Sequence, residues 1–113
     1  MIETTLKEFL ASALGVTVVL ERPSPLPARF VLLDKTGSTT DTGYRTATFA
    51  VQSWAESLHS AAELSERVKA ALKTMDDMPD IVAVGIQTDY NYTDPATKRY
   101  RYQLVAAVTY YDD

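Results

Sequence analysis

Few side chains in this sequence of 113 residues have the type and spacing that catalysis requires. His59 is the single histidine, and an imidazole acts as a general base or a metal ligand only beside suitable carboxylates or further ligands. No second histidine is present to join it. We therefore interpret His59 as a solvated residue at the start of a predicted helix. A small intracellular enzyme or ligand-binding domain that uses His59 stays open as the alternative.

Two further groups have only a superficial likeness to known sites. Asp76, Asp77 and Asp80 could attract a hard cation, but they lack the EF-hand pattern and its distant glutamate, so we interpret them as a solvated connector. Residues 35–38 (KTGS) contain the residue types of a phosphate-binding loop, which must lead into a helix, whereas a strand is predicted here. We predict no catalytic residue, no metal, no cofactor and no enzymatic activity.

The composition excludes several classes of function. The absence of cysteine excludes disulfides, thiolate nucleophiles and cysteine-bound zinc. A formal net charge of -4 argues against specific or general nucleic-acid binding, because such binding depends on cationic side chains. The cluster of Lys98, Arg99 and Arg101 alternates with tyrosines and is interpreted as the solvated face of a strand.

The length and the N-terminal sequence predict how the chain is organised. Residues 1–113 fit a single domain, since a chain of this size can bury one core. Glu3 and the lack of a basic segment before a long apolar run argue against a signal peptide or a membrane span. We therefore expect a cytoplasmic start and no membrane partner.

Hydrophobic periodicity predicts two helices. The first covers residues 2–14 and ends at Gly15; Thr5 and Glu8 have capping-box spacing, although an earlier cap remains open. The second begins at a capping box of Ser60 and Glu63 and continues to Met75.

Five strands are predicted around these helices, at residues 16–20, 29–33, 44–54, 81–90 and 98–111. Residues 22–27, with three prolines, are a rigid connector, and residues 34–43 are a long, flexible hairpin loop. In the fourth strand, one apolar face is expected to hold Val82, Val84, Ile86, Thr88 and Tyr90. The order α-β-β-β-α-β-β predicts an α+β fold with a mostly antiparallel or mixed five-stranded sheet and both helices on one face.

Most of the seven tyrosines lie between residues 90 and 111. Tyrosine suits a partner interface, because its ring supplies apolar area while its hydroxyl tolerates water. Core packing and cross-strand pairing explain such a pattern equally well, although Tyr92 and Tyr111 have no evident core role. Both interpretations stay open for this hairpin.

Four segments together resemble the tail-terminator and tail-completion proteins of long-tailed bacteriophages and prophages. They are residues 27–38 (PARFVLLDKTGS), 47–57 (ATFAVQSWAES), 60–72 (SAAELSERVKAAL) and 90–111 (YNYTDPATKRYRYQLVAAVTYY). The resemblance implies a small α+β subunit that forms a homohexameric ring, caps the tail tube, ends its elongation and joins the head connector. Its implied partners are further copies of itself, the tail tube protein and the head-tail connector protein. Head-completion and connector proteins of the phage neck are similar in size and form the alternative.

The same resemblance implies assembly in the host bacterial cytoplasm and a final place in the virion tail. The strand at residues 44–54 is the first candidate for ring contacts, by strand pairing or side-chain docking, with the loop at residues 34–43 becoming ordered when a partner binds. Trp54→Ala, or a deletion within that loop, is expected to weaken assembly more than folding. The candidate contact residues are Asp34, Lys35, Thr36, Asp41, Tyr44, Arg45, Gln52, Trp54, Tyr92, Arg99, Arg101 and Tyr111.

Overall fold

Two helices and five strands form the fold in the predicted α-β-β-β-α-β-β order, which confirms the α+β class. The computed structural model describes residues 1–96 and 99–111. The elements are α1 (Ile2–Leu14), β1 (Thr17–Val19), β2 (Phe30–Asp41), β3 (Tyr44–Ala55), α2 (Leu58–Leu72), a turn of 3-10 helix (Met75–Asp77), β4 (Ile81–Asn91) and β5 (Tyr100–Tyr111).

The strands form one mixed sheet in the order β1-β2-β3-β5-β4. The short β1 runs parallel to β2, and every other neighbouring pair is antiparallel. Principal extents of 44 × 24 × 23 Å make the molecule elongated. A strand of twelve residues spans about 40 Å, so the long axis follows the strands.

Both helices cover the same face of the sheet, as predicted. Each helix contributes an apolar stripe because its aliphatic residues recur every three or four positions. The sheet supplies alternate residues of β2, β3 and β5 to the same core. The buried stripes are Ile2, Leu6, Leu10 and Leu14 in α1, and Ala61, Leu64, Val68 and Leu72 in α2.

The helix ends differ in part from the predictions. Gly15 ends α1 in the expected left-handed conformation, with φ 66°. α1 begins after Met1, which confirms the earlier cap that was left open rather than the Thr5–Glu8 box. The predicted box of Ser60 and Glu63 is wrong, because α2 begins after Ser57. The Ser57 Oγ accepts a hydrogen bond from the Ser60 backbone N–H over 3.1 Å, so it satisfies an N–H that the first turn leaves without a helical partner.

The predicted loop at residues 34–43 is instead a continuation of the hairpin. β2 runs to Asp41, and only Thr42 and Gly43 form the turn, with Gly43 at φ 80°. Glycine and serine suggested a loop, but threonine is β-branched and favours strands, and pairing with β3 binds the backbone of this polar run. The segment is therefore a paired strand in the single chain, and the predicted loop is wrong.

Two irregularities in β4 change which of its residues share a face. The pairing register with β5 shifts between Ile81 and Ala83, and again between Ile86 and Thr88. Such bulges insert an extra residue and redirect the side chains that follow. Val84 and Ile86 pack on the core as predicted. Val82 is exposed, and the alternation places Thr88 and Tyr90 on the opposite face, so the prediction of one continuous apolar face is wrong.

Candidate functional site

The face of the sheet opposite the helices, here called the open face, contains most of the predicted contact residues. Its middle is formed by small, uncharged side chains. The Thr46 and Thr109 hydroxyls lie 3.0 Å apart and pair across strands, while Ala50 and Ala107 occupy nearby positions. The two threonine hydroxyls satisfy one another laterally, and the side chains at these four positions carry no charge.

One end of the open face is closed by arginines over a stacked aromatic pair. Phe30 and Trp54 are direct cross-strand neighbours, with ring centroids 5.3 Å apart and planes inclined by 17°. Both side chains are fully buried. The guanidinium carbons of Arg22 and Arg101 lie 4.9 Å and 4.8 Å from the centroid of the Trp54 ring. Two cation–π contacts therefore cover a large apolar surface that no helix reaches.

Hydrogen bonds fix the polar edge of this aromatic pair. The Trp54 Nε1–H donates to the Gln52 side-chain oxygen over 3.1 Å, and the Gln52 amide donates to Gln103 over 2.9 Å. The Gln103 amide in turn donates to the Tyr90 hydroxyl. The side chain of Gln52, a predicted contact residue, thus donates and accepts hydrogen bonds within the chain.

The basic cluster of the sequence holds this end of the molecule together. The Arg101 guanidinium lies between Trp54 and Tyr92, 4.7 Å from the Tyr92 centroid, and its Nε–H donates to the Tyr92 carbonyl over 2.7 Å. Arg99 donates to the carbonyls of Pro27 and Ala28 over 2.6 Å and 3.0 Å, which ties the proline-rich connector to β5. These arginines are not simply a solvated strand face. Lys98 lies outside the described residues.

Trp54 therefore has a different environment from the one expected. Its side chain has no exposed surface in the monomer, because Phe30 and the two arginines enclose it. We remove Trp54 from the set of candidate contact residues. Because the indole is fully buried, Trp54→Ala is now expected to affect folding more than assembly.

The other end of the open face carries an aromatic pair that remains exposed. Tyr44 and Tyr111 are direct cross-strand neighbours with centroids 5.9 Å apart, and they are 43% and 52% exposed. Asp41 pairs with Tyr44 in the hairpin, and its carboxylate accepts a hydrogen bond of 2.8 Å from the Thr42 backbone N–H. Arg45, the next residue of β3, is exposed and alternates to the helix-covered face of the sheet. These four predicted contact residues lie at the hairpin end of the sheet and are here called the tip cluster; Asp41, Tyr44 and Tyr111 share the open face.

The remaining candidates lie on β2 where it has a neighbour on one side only. β1 pairs with β2 only at Phe30, Val31 and Leu32, so β2 beyond that point is bordered by β3 alone among the described residues. Asp34, Lys35 and Thr36 are exposed here. The Lys35 ammonium lies 3.6 Å from the Glu3 carboxylate, and the Thr36 hydroxyl donates to the Thr48 carbonyl over 3.3 Å.

β3, the first candidate for pairing with another subunit, cannot do so as a strand. It is hydrogen-bonded to β2 on one side and to β5 on the other along its whole length. The free sheet edges in the described part of the chain are β1, the outer half of β2 and the outer side of β4. The prediction of strand pairing through residues 44–54 is therefore wrong, whereas contact through their side chains stays a prediction. β2 and β4 present the long edges available for pairing.

Two edge glycines are features that the sequence interpretation missed. Gly37 lies on β2 and Gly85 on β4, and neither has the left-handed backbone that favours glycine. A side chain at either position would meet no other atom within 4 Å. An isolated glycine inside a strand pattern indicates a bulge or the close approach of another backbone, so the signal was present in the sequence.

The residues considered for catalysis are not assembled into a site. The His59 side chain is 88% exposed on the first turn of α2, with its Nε2 3.7 Å from a Glu63 carboxylate oxygen. A side chain that exposed lines no concave pocket. Within residues 1–96 and 99–111, no group of three or more histidine, cysteine or acidic side chains could hold a metal ion. In the same part of the chain, no helix has the length and apolarity needed to cross a membrane.

One ion pair connects the helical layer to the outermost strand. Lys69 of α2 contacts Asp89 of β4 and lies 3.3 Å from Glu66. Hydrogen bonding to Asp89 raises the pKa of the Lys69 ammonium above its ordinary value, and Glu66 acts in the same direction. The contact anchors β4 from the helical side and leaves its outer edge free.

The fold and the surfaces described define an elongated α+β protein whose five-stranded sheet is covered by helices on one face only. A chain of the virion of a native gene transfer agent particle has a similar fold, with a TM-score of 0.67. The similarity covers 91% of this chain and 84% of that chain, at 19% sequence identity. No protein-family model matches this sequence, and no curated protein is similar to it.

Proposed function

We propose that this protein is a structural subunit of a phage-like particle and acts at the tail. It forms a homo-oligomeric ring of six copies, binds the end of the tail tube, stops its elongation and presents a surface to the head connector. The observation that best supports this proposal is the fold similarity to a virion chain, which covers 91% of this chain and 84% of that chain. The resemblance of the four sequence segments to tail-terminator proteins supports the finer role.

The two ends of the elongated molecule differ in how well they suit contacts with other proteins. The tip cluster supplies two exposed tyrosine rings with an acidic and a basic neighbour, a composition that favours protein contacts. We propose that the tip cluster contacts the tube or the connector. The polar groups near Trp54 are largely occupied within the chain, which makes that end the weaker candidate.

The charge distribution is compatible with a ring through which DNA passes. The sequence carries a net charge of -4, and the charged side chains at the regularly paired open-face positions are Asp34, Asp41 and Arg101. Arg101 is held between two aromatic rings. A surface with so few free cations releases few counterions from phosphates and so binds DNA weakly. No catalysis belongs to this proposal.

Negative-stain electron microscopy of the protein with purified tail tubes tests this role. We expect closed rings, a single ring at one end of each tube, and no further growth of capped tubes when tube protein is added. Tubes incubated without the protein are the control and should continue to grow. Rings that bind isolated heads or connectors but not tubes would support the head-completion alternative. A protein that stays monomeric with and without tubes would refute the ring.

A further inference from the structure

Gly37 directly follows a register shift in β2, and Gly85 lies between two register shifts in β4, yet neither position has a backbone conformation or a crowded contact that requires glycine. A glycine inside a strand costs about 0.5–1 kcal/mol relative to alanine, because its backbone loses more freedom on folding. Neither Gly37 nor Gly85 has a positive φ, and both have open space around them, so a side chain would fit in the isolated chain. Strand glycines of this kind mark places where another backbone approaches closely.

These glycines lie at opposite edges of one level row across the sheet. Gly85 pairs with Ala107, Ala107 pairs with Thr48, and Thr48 pairs with Gly37. The next row runs in the same way from Ala83 through Thr109 and Thr46 to Thr39. Both rows belong to the open face, so a neighbour aligned with one row is aligned with the other.

The directions of the two edges are also complementary. Three successive antiparallel pairs separate β2 from β4, so these strands run in opposite directions. When two copies stand side by side in the same orientation, β4 of one copy meets β2 of the next as an antiparallel strand. The sheet of one copy then continues into the sheet of the next, and the residue rows of the two copies are level with each other.

We propose that the β2 edge of one copy pairs with the β4 edge of a second copy, with Gly37 and Gly85 at the centre of the contact. The partner is a second copy of this chain for two reasons. The β2 and β4 edges run in opposite directions, and their glycines lie in the same row on the same face of the sheet. The contact is head-to-tail, since each copy uses two different edges, and such contacts produce rings or open arrays. The inference deepens the proposed ring by naming the strands that join its subunits.

Bulges limit this pairing to a short length. β2 is irregular between Lys35 and Gly37, and β4 between Ile81 and Ala83 and between Ile86 and Thr88. The uninterrupted pieces are residues 37–41 and residues 83–86. Bulges bend and twist a strand and so oppose extended edge pairing. A short matched segment allows one register and restricts indefinite strand addition.

Disulfide trapping tests the contact directly, because the chain has no cysteine. Thr39 and Ala83 belong to one row, so the double variant Thr39→Cys/Ala83→Cys places two thiols at facing edges. Mild oxidation should give a ladder of covalent oligomers that ends at the ring, while each single variant remains uncrosslinked. The matched control, Thr39→Cys/Ala70→Cys, moves one thiol to an exposed position on α2 and should give no ladder.

The results separate this inference from the proposed function. Rings without the disulfide ladder in the double variant would overturn the edge contact and leave the tail role standing. Covalent dimers of either single variant would indicate symmetrical pairing of like edges and overturn the head-to-tail arrangement. A protein that never associates, even with tubes, would overturn both proposals.

Glycine substitution provides a second test that does not depend on trapping. Gly85→Val adds a β-branched side chain where the monomer has space, so we expect an unchanged or slightly more stable monomer. Association measured by sedimentation should weaken by about tenfold or more, the scale expected for overpacking a close contact. Ala107→Val, in the same row but inside the sheet, is the matched control. Undiminished association of Gly85→Val would overturn the inference.

Discussion

Two aromatic pairs lie at opposite ends of the open face, and their environments differ. Phe30 with Trp54 and Tyr44 with Tyr111 are both direct cross-strand neighbours with stacked or tilted rings. The first pair is fully buried, whereas the second is about half exposed. The first pair has β1 beside Phe30 and two arginines over Trp54, whereas the second lies next to the hairpin turn and is left partly exposed.

The cover over the first pair comes from segments distant in the sequence. Arg22 belongs to the connector before β2, and Arg101 belongs to β5, yet both guanidinium groups contact Trp54. The tip has only the two-residue turn Thr42 and Gly43, which is too short to fold back over Tyr44. An aromatic cluster on a sheet therefore indicates an interface only when the chain leaves it uncovered.

Removal of the covered ring should have the largest effect on stability. Trp54→Ala eliminates a buried indole and leaves a cavity beside Phe30, so unfolding should become easier by about 3–5 kcal/mol. Urea denaturation followed by circular dichroism measures this change. A loss below about 1 kcal/mol would show that the two ends do not differ as described.

The matching change at the tip should affect association and spare the fold. Tyr44→Ala/Tyr111→Ala removes one exposed cross-strand pair, worth about 0.2–1 kcal/mol of stability. We expect tube capping, counted in electron micrographs, to fall well below that of the unaltered protein. Tyr44→Phe/Tyr111→Phe keeps the rings and serves as the control. Normal capping by the alanine variant would exclude the tip as the docking surface.

The arginine cover should contribute an intermediate amount. Arg101→Ala removes contacts with two aromatic rings and a hydrogen bond to the Tyr92 carbonyl, and we expect a loss of about 1–2 kcal/mol. Arg101→Lys keeps the charge without the planar group and should recover only part of this stability. Full recovery by lysine would mean that charge alone, rather than stacking, covers Trp54.

The smallest effect is expected at the ion pair, which belongs to neither end. Asp89→Asn should lower stability by less than about 1 kcal/mol, since the pair is partly exposed. Because the folded pKa of Lys69 is raised, its contribution is present below the ordinary value of 10.5 and is lost as pH rises through the folded pKa. Denaturation measured across this alkaline range should show a weaker pH dependence in the variant; an unchanged dependence would contradict the assignment.

Local patterns predicted the elements and their order. The stripes of α1 and α2 repeat at helical spacing, and the buried residues Ala47, Phe49 and Val51 alternate in β3, so each is visible within a short window. The class and the one-sided helical cover follow from that order. The run of threonines after Asp34 was misinterpreted because turn-forming composition was given more weight than β-branching.

The candidate surface depended on information that no short window contains. β3 lies inside the sheet and β2 at its margin because β5 inserts next to β3 rather than next to β2. The burial of Trp54 depends on Arg22 and Arg101, which are far apart in sequence. The bulges that move Tyr90 to the open face arise from pairing with β5. Periodicity within each strand predicts its two faces, but not its neighbours.

The position of the single tryptophan makes the protein its own optical reporter. Trp54 is shielded from water by Phe30 and the two arginines, and it lies at the far end of the sheet from the tip cluster. Its fluorescence should therefore shift to longer wavelength when the chain unfolds and stay nearly constant when copies associate through the tip or the glycine edges. Folding can then be followed without interference from assembly and without any added dye.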